Sequence, residues 1–255
     1  MQLRKIPRCG MEVSAVGIGC NNFGNRSTVE ESKAVIERAL DIGITLFDTA
    51  DGYPLGNRGA SETIIGETLG ARRKDIVLAT KFGIRFNDDM RGGASRAYIM
   101  RSVEASLTRL KTDWIDLYQL HIPDGTTPME ETLRALDDLV SQGKVRYIGN
   151  SNFTAWQMVD ADWTAKANGL SPFVSCQNEY SLLNREVDRE LLPAMAKYGL
   201  GFLPFFPLAS GLLTGKYRRG TNAPEGTRFN KTKMLGDRFM TDENWDTVEA
   251  LQAFC

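Results

Sequence analysis

Ile115-Asp116-Leu117-Tyr118-Gln119-Leu120-His121 is an apolar-rich run closed by a residue able to do chemistry. Six residues, 115–120, suit a strand better than a helix, which needs roughly ten or more to bury a face. Just downstream, Thr127 and Glu130 have the spacing of a capping box, with Pro128 at the first helical position, and Gly143 closes the amphipathic stretch that follows. The stretch therefore reads as strand, polar strand end, loop and helix. The same unit recurs in both directions along the chain. Apolar runs at 16–20, 45–47, 76–79, 146–148, 173–176 and 201–203 read as further strands. They are separated by amphipathic stretches of about fifteen residues. Ser27 with Glu30 and Thr154 with Gln157 repeat the capping signal. Gly43, Gly70, Gly169 and Gly199 repeat the helix stop. Between 96 and 110, Ile99, Val103, Leu107 and Leu110 fall on one stripe, as a helix packed on a sheet requires.

Alternating units of this kind build either an open doubly wound sheet or a closed barrel. The strand ends favour the barrel. Asp48, Lys81, His121, Ser151 with Asn152, and Gln177 each stand at the end of a different run. A (β/α)8 TIM barrel gathers all its strand ends at one mouth, whereas a doubly wound sheet concentrates its site at one switch point. The first turn, Gly17-Ile18-Gly19-Cys20-Asn21-Asn22-Phe23-Gly24, has too many residues before its third glycine for a dinucleotide fingerprint, and Gly211 to Lys216 is one residue short of a phosphate loop. No linker or change of composition divides the 255 residues, so the expectation is a single α/β domain over 1–255. Only seven strands can be counted, and the chain stops at Cys255 within an amphipathic stretch, 243–254. The expected fold is accordingly a barrel whose eighth strand and C-terminal helices are missing from this chain.

Apolar residues make up 42% and charged residues 25%, with a formal net charge of -1. This is ordinary for a globular protein and lacks the basic balance that nucleic-acid binding requires. No apolar run approaches the roughly twenty residues of a membrane helix, and residues 1–10 contain no apolar leader, so the reading is a cytoplasmic protein without membrane or nucleic-acid partners. Cys9, Cys20, Cys176 and Cys255 are far apart, which suggests free thiols and no metal site.

A lysine closing the strand at 76–80 would carry its ammonium into the barrel mouth, where burial calls for a carboxylate partner. Asp48, which closes the neighbouring strand, is the first candidate, and Asp51 is its rival from the loop. Tyr53 lies on that loop, and a nearby ammonium would lower its pKa and make it a general acid. His121, the single histidine, could donate a hydrogen bond to a substrate oxygen. Each residue alone also reads as structural: a rim salt bridge, a rim tyrosine, a hydrogen-bonded core histidine. A Schiff-base aldolase using Lys81 is another reading, but it needs a lysine without a carboxylate beside it.

Phe47-Asp48-Thr49-Ala50-Asp51-Gly52-Tyr53 followed by Ser61-Glu62, with Lys81, the 116–121 segment and Gly149-Asn150-Ser151-Asn152-Phe153, strongly resembles the aldo-keto reductase family. Gln177-Asn178-Glu179-Tyr180 and the segment Pro207 to Lys216 continue the resemblance in the same order. It implies a catalytic tetrad of Asp48, Tyr53, Lys81 and His121, with Tyr53 as proton donor. It also implies reduction of a small carbonyl substrate to an alcohol, or the reverse, with NADPH, or NADH as the alternative, lying across the barrel mouth. Ser151, Asn152 and Gln177 would then hold the nicotinamide carboxamide, and Phe205 would stack on its ring. Leu208, Ser210, Gly211, Leu212, Lys216 and Arg228 would line the phosphates, while Gly19, Cys20, Asn21, Asp48, Phe206 and Pro207 complete the cofactor set. The alternative within the resemblance is a nicotinamide-binding redox sensor or regulatory subunit with little turnover. The substrate pocket would be shaped by the loops 21–27, 54–60, 84–95 and 122–126.

Overall fold

The computed structural model describes residues 1–84 and 93–255, and the chain forms two compact units. The first comprises Met1–Cys176 with Ala194–Phe202, and the second Gln177–Pro193 with Leu203–Cys255.

A hairpin of β1 (Leu3–Lys5) and β2 (Glu12–Ser14) comes first. Strands then alternate with helices: β3 (Gly17–Gly19), α1 (Val29–Asp41), β4 (Leu46–Asp48), α2 (Ala60–Leu69), β5 (Val77–Phe82), α3 (Arg96–Leu110) and β6 (Ile115–Leu120). They continue through α4 (Met129–Ser141), β7 (Val145–Ser151), α5 (Ala155–Asn168), β8 (Ser175–Gln177), α6 (Leu191–Tyr198) and β9 (Gly201–Phe202). Strands β3 to β9 form one curled parallel sheet in strict chain order, the arrangement of a (β/α)8-type fold, so the strand-helix alternation read from the sequence holds. Every residue of β6 is buried, which explains its near-continuous apolar run: a parallel strand is covered on both faces. The stripe Ile99, Val103, Leu107 and Leu110 is likewise the buried face of α3.

The helix boundaries correct the sequence reading in two places. Ser27 does not cap α1; its amide donates to Asn22 O and finishes the preceding loop, while Thr28 forms the capping box with Glu31. Thr127 does not cap α4, because its hydroxyl and amide both donate to Asp124, and Pro128 takes the cap position rather than the first helical one. At α5 the expected box of Thr154 and Gln157 is present. Gly169 ends that helix at φ 62°, a left-handed conformation that costs glycine nothing.

The hairpin has no counterpart in the sequence reading. Ile6, Met11 and Val13 are buried, and Arg8, at φ 70°, pairs with Asp162 of α5 at 2.6 Å and donates to Phe173 O at 3.4 Å. Gly201 accommodates it: a Cβ there would stand 2.9 Å from Ile6 Cγ2. Ser14 joins the hairpin to the start of β4, its Oγ accepting from Thr45 N at 2.9 Å and Leu46 N at 3.2 Å.

In the second unit, residues 178–180 run beside Phe205, which donates to Asn178 O at 3.0 Å and accepts from Tyr180 N at 3.2 Å. A 3-10 turn (Ala209–Thr214) follows, then α7 (Arg228–Lys231), α8 (Lys233–Phe239) and α9 (Asp242–Phe254). Ala209, Leu212, Tyr217, Phe229, Phe239 and Trp245 form its core. The amphipathic stretch at the end of the chain is α9, and Arg219 engages Asp242, Asp246 and Glu249 along one side of it. Among the described residues no helix is long and apolar enough to cross a membrane.

Candidate active site

Adjacent strands bring the site together. Asp48 ends β4, Lys81 lies near the end of β5, and the register sets Lys81 beside Gln119 of β6. His121 follows β6, held by its amide to Phe82 O at 2.8 Å. The Lys81 side chain has no solvent exposure, and its ammonium donates to Asp48 Oδ2 at 2.5 Å and to Thr49 O at 3.0 Å. The other oxygen of Asp48 accepts from Gln119 Nε2 at 3.0 Å. This decides between the two aspartates. Asp51 meets Lys81 only through its backbone, its amide donating to Lys81 O at 3.0 Å, while its buried carboxylate accepts from Arg58 at 2.6 Å and from Tyr98 and Ser102 at 3.2 Å each.

Tyr53 reaches the same place from the loop after β4. Its hydroxyl is 3.5 Å from His121 Nε2, the two rings meet edge to face at 5.6 Å, and Lys81 Nζ stands 5.2 Å from the centre of its ring. The electrostatics differ from the sequence expectation at the phenol. Burial pushes the Tyr53 pKa up, and the Lys81 ammonium, though it pulls the other way, does not overcome it. The phenol is thus protonated at neutral pH. Burial also works against the charge on Lys81, but Asp48 and the tyrosine outweigh it and raise the lysine above its ordinary value. His121 is held at about 3 by burial and by Lys81, so it is neutral at physiological pH.

That shift has a measurable consequence. From pH 6.5 down to about 3 the unfolded chain binds a proton on His121 that the folded chain refuses, so this group contributes stability that is lost as pH falls. Between neutrality and about pH 5 the loss should be about 2 kcal/mol. Denaturant unfolding of wild type and His121→Gln at both pH values checks this: the variant should show the smaller loss, and equal losses would contradict the neutral imidazole.

Ser151 is buried, whereas Asn152 is exposed and turns at φ 60°, its amide donating to His121 O at 2.9 Å and Ser151 Oγ at 3.1 Å. Asn152 therefore braces the histidine backbone. Gly19 opens on free space, since a Cβ there would meet no atom within 4 Å, and Asn21 is half-buried. Cys20 is fully buried, and burial pushes its thiol up, so it is a packing residue without thiolate chemistry. Gln177, buried, closes β8.

In the second unit the segment from Phe205 to Lys216 has unusual backbone. Phe206, Ala209, Ser210 and Gly211 lie at φ 52°, 47°, 57° and 108°. The turns are closed internally, the amides of Ala209 and Gly211 donating to Phe206 O and Leu208 O at 2.8 Å each. Ser210 Oγ is buried with no hydrogen-bond partner among the described residues, and Lys216 Nζ would be 3.2 Å from a Cβ on Gly211. An unpartnered hydroxyl and an ammonium are the donor types that a phosphate group requires. Phe205 and Phe206 meet edge to face at 5.4 Å, and Arg228 lies 5.1 Å over Phe206. Pro207 and Leu208 are exposed, but the Leu212 side chain is in the core and offers only its backbone. Sequence reasoning missed Gln119, although its level with Lys81 follows from the strand pairing. Of the loops expected to shape a pocket, 85–92 lies outside the described residues.

The chain matches the family model described as Aldo/keto reductase family over residues 15–255. It is 42% identical to an uncharacterized oxidoreductase, YrpG, of Bacillus subtilis (strain 168), over 91% of this chain and 73% of that protein. It is 39% identical to a protein of Oryza sativa subsp. japonica named "Probable voltage-gated potassium channel subunit beta", over 99% of this chain and 78% of that protein. It is 34% identical to the L-glyceraldehyde 3-phosphate reductase of Escherichia coli O157:H7, over 98% of this chain and 75% of that protein.

Proposed function

The chain belongs to the aldo/keto reductase family of oxidoreductases, and from that premise we propose that it reduces an aldehyde or ketone to an alcohol with NADPH, or NADH in its place, and Tyr53 as proton donor. The observation that carries the reading is the grouping of Tyr53 with the Lys81–Asp48 pair and a neutral His121. When bound, the reduced nicotinamide supplies a hydride to the carbonyl carbon. As negative charge grows on the carbonyl oxygen, Tyr53 gives up its phenolic proton to it. Lys81, kept charged by Asp48, steadies the phenolate that is left. His121, neutral, orients the carbonyl by donating one hydrogen bond. Ser151, Asn152 and Gln177 are assigned to the carboxamide, Phe205 to the ring, and Ser210, Gly211 and Lys216 to the phosphates.

The test is a titration with NADPH and, separately, NADH, followed by tryptophan fluorescence, and then addition of a reactive aldehyde while the absorbance of the reduced nicotinamide is watched. Aldehyde-dependent loss of that absorbance is expected; absence of cofactor binding would sink the reading. A second reading, a regulatory subunit that senses nicotinamide with little turnover, draws its support from the relatives named as potassium channel beta subunits. Binding without turnover would select it.

A further inference from the structure

We propose that Gln119 is a positioning residue of this site: its amide holds Oδ1 of Asp48 and so sets the plane in which the carboxylate meets Lys81. The inference rests on the reductase reading for its turnover arm.

Gln119 has no exposure, and only one end of its amide is engaged. Nε2 donates to Asp48 Oδ1 at 3.0 Å, while Oε1 is buried without a hydrogen-bond partner among the described residues. A leucine would fill the same space without burying an unsatisfied carbonyl, so the fold alone gives no reason for an amide here. The reason lies at Nε2. Lys81 takes one carboxylate oxygen at 2.5 Å, and a second fixed point on the other oxygen helps to set the plane of the carboxylate about its last bond. The sheet supplies that point, because the register sets Gln119 beside Lys81 on β5 and beside Gly149 on β7. Gly149 keeps the space clear: a Cβ there would stand 3.2 Å from Gln119 Cγ and 2.5 Å from Ser175 Oγ. The charged groups at Gln119 are Asp48 and Lys81; Gly149 and Ser175, toward β7 and β8, are neutral. Gln119 acts through Asp48, the residue its amide engages.

Two variants test this. In Gln119→Leu the donor is lost with little change of volume, and kcat should fall about tenfold at every pH, as for groups that orient other catalytic groups, with cofactor affinity unchanged. In Gln119→Glu a protonated carboxyl can still donate to Asp48, but an ionised one repels it. Its kcat should be close to wild type at the acidic end of the profile and fall toward the alkaline end. If kcat of Gln119→Leu stays within about twofold of wild type, or if both variants are slowed alike at every pH, the assignment is overturned.

Should the wild type itself show no turnover, the reductase reading fails, and the placement of Gln119 is read from thermal unfolding instead. A carboxyl at 119 has its folded-state pKa raised by burial and by Asp48, so it stabilises the fold at low pH and loses that contribution as pH rises. The Tm of Gln119→Glu should therefore drop with rising pH relative to wild type, and the drop should shrink once Asp48→Asn removes the like charge. A drop indifferent to Asp48→Asn overturns the proposal.

Discussion

Tyr53→Phe should lower turnover by at least about a hundredfold, and as far as ten-thousandfold, the range attributed to a positioned general acid. The loss should come almost entirely from the chemical step. Phenylalanine keeps the ring that meets His121 edge to face and lies beneath the Lys81 ammonium, so the packing of the site survives while the proton is removed. Because burial holds the phenol pKa above its ordinary value, the wild-type donor is fully protonated around neutrality, and the deficit should be constant there rather than appear as a shifted optimum. Steady-state kinetics with an aldehyde, alongside fluorescence titration with NADPH, measure both quantities. Turnover of the variant close to wild type would remove Tyr53 from the proposed role.

Lys81→Met should affect both catalysis and stability. A lysine side chain with no exposure, paired at 2.5 Å with an aspartate whose own exposure is 20%, is an ion pair whose rupture leaves a carboxylate poorly solvated. Removal of one partner from such a pair costs about 3 kcal/mol, toward the lower end of the usual range because water can reach Asp48. The sign with pH is fixed by the raised lysine pKa. The contribution is complete below the ordinary value of 10.5 and lost as pH rises through the folded-state value, so at neutrality the wild type has all of it. Denaturant unfolding at neutral pH should show the variant less stable, and kinetics should show a turnover loss comparable to that of Tyr53→Phe. A variant as stable and as active as wild type would mean that the pair is ornamental.

Lys81 is legible in the sequence because it stands near a strand end, and a strand end in a parallel sheet is a place as well as a residue type, whereas Tyr53 is reached only along the loop that follows β4. The same rule finds His121, Ser151 and Gln177. What cannot be read is the choice among partners. Asp48 and Asp51 are three residues apart, and only the chain path shows that one meets Lys81 while the other turns back to Arg58, Tyr98 and Ser102. The direction of the Tyr53 shift escapes the sequence for a related reason: a charge can be inferred from a neighbouring lysine, but the burial that outweighs it depends on the whole surrounding fold. Capping signals mislead where a third residue intervenes, as Asp124 does at Thr127. The hairpin is invisible because its two strands have three residues each and no alternation long enough to show a period.

That hairpin also bears on how the protein is made. Arg8 and Phe173 are 165 residues apart in sequence, and Gly201, which makes room for Ile6, is farther still. On the ribosome the first fourteen residues emerge long before the helix, the strand and the glycine that receive them. For that interval Ile6 lacks the strand at Gly201 that it packs against, which leaves apolar surface open on the nascent chain. Fast synthesis or crowded polysomes should therefore penalise its yield.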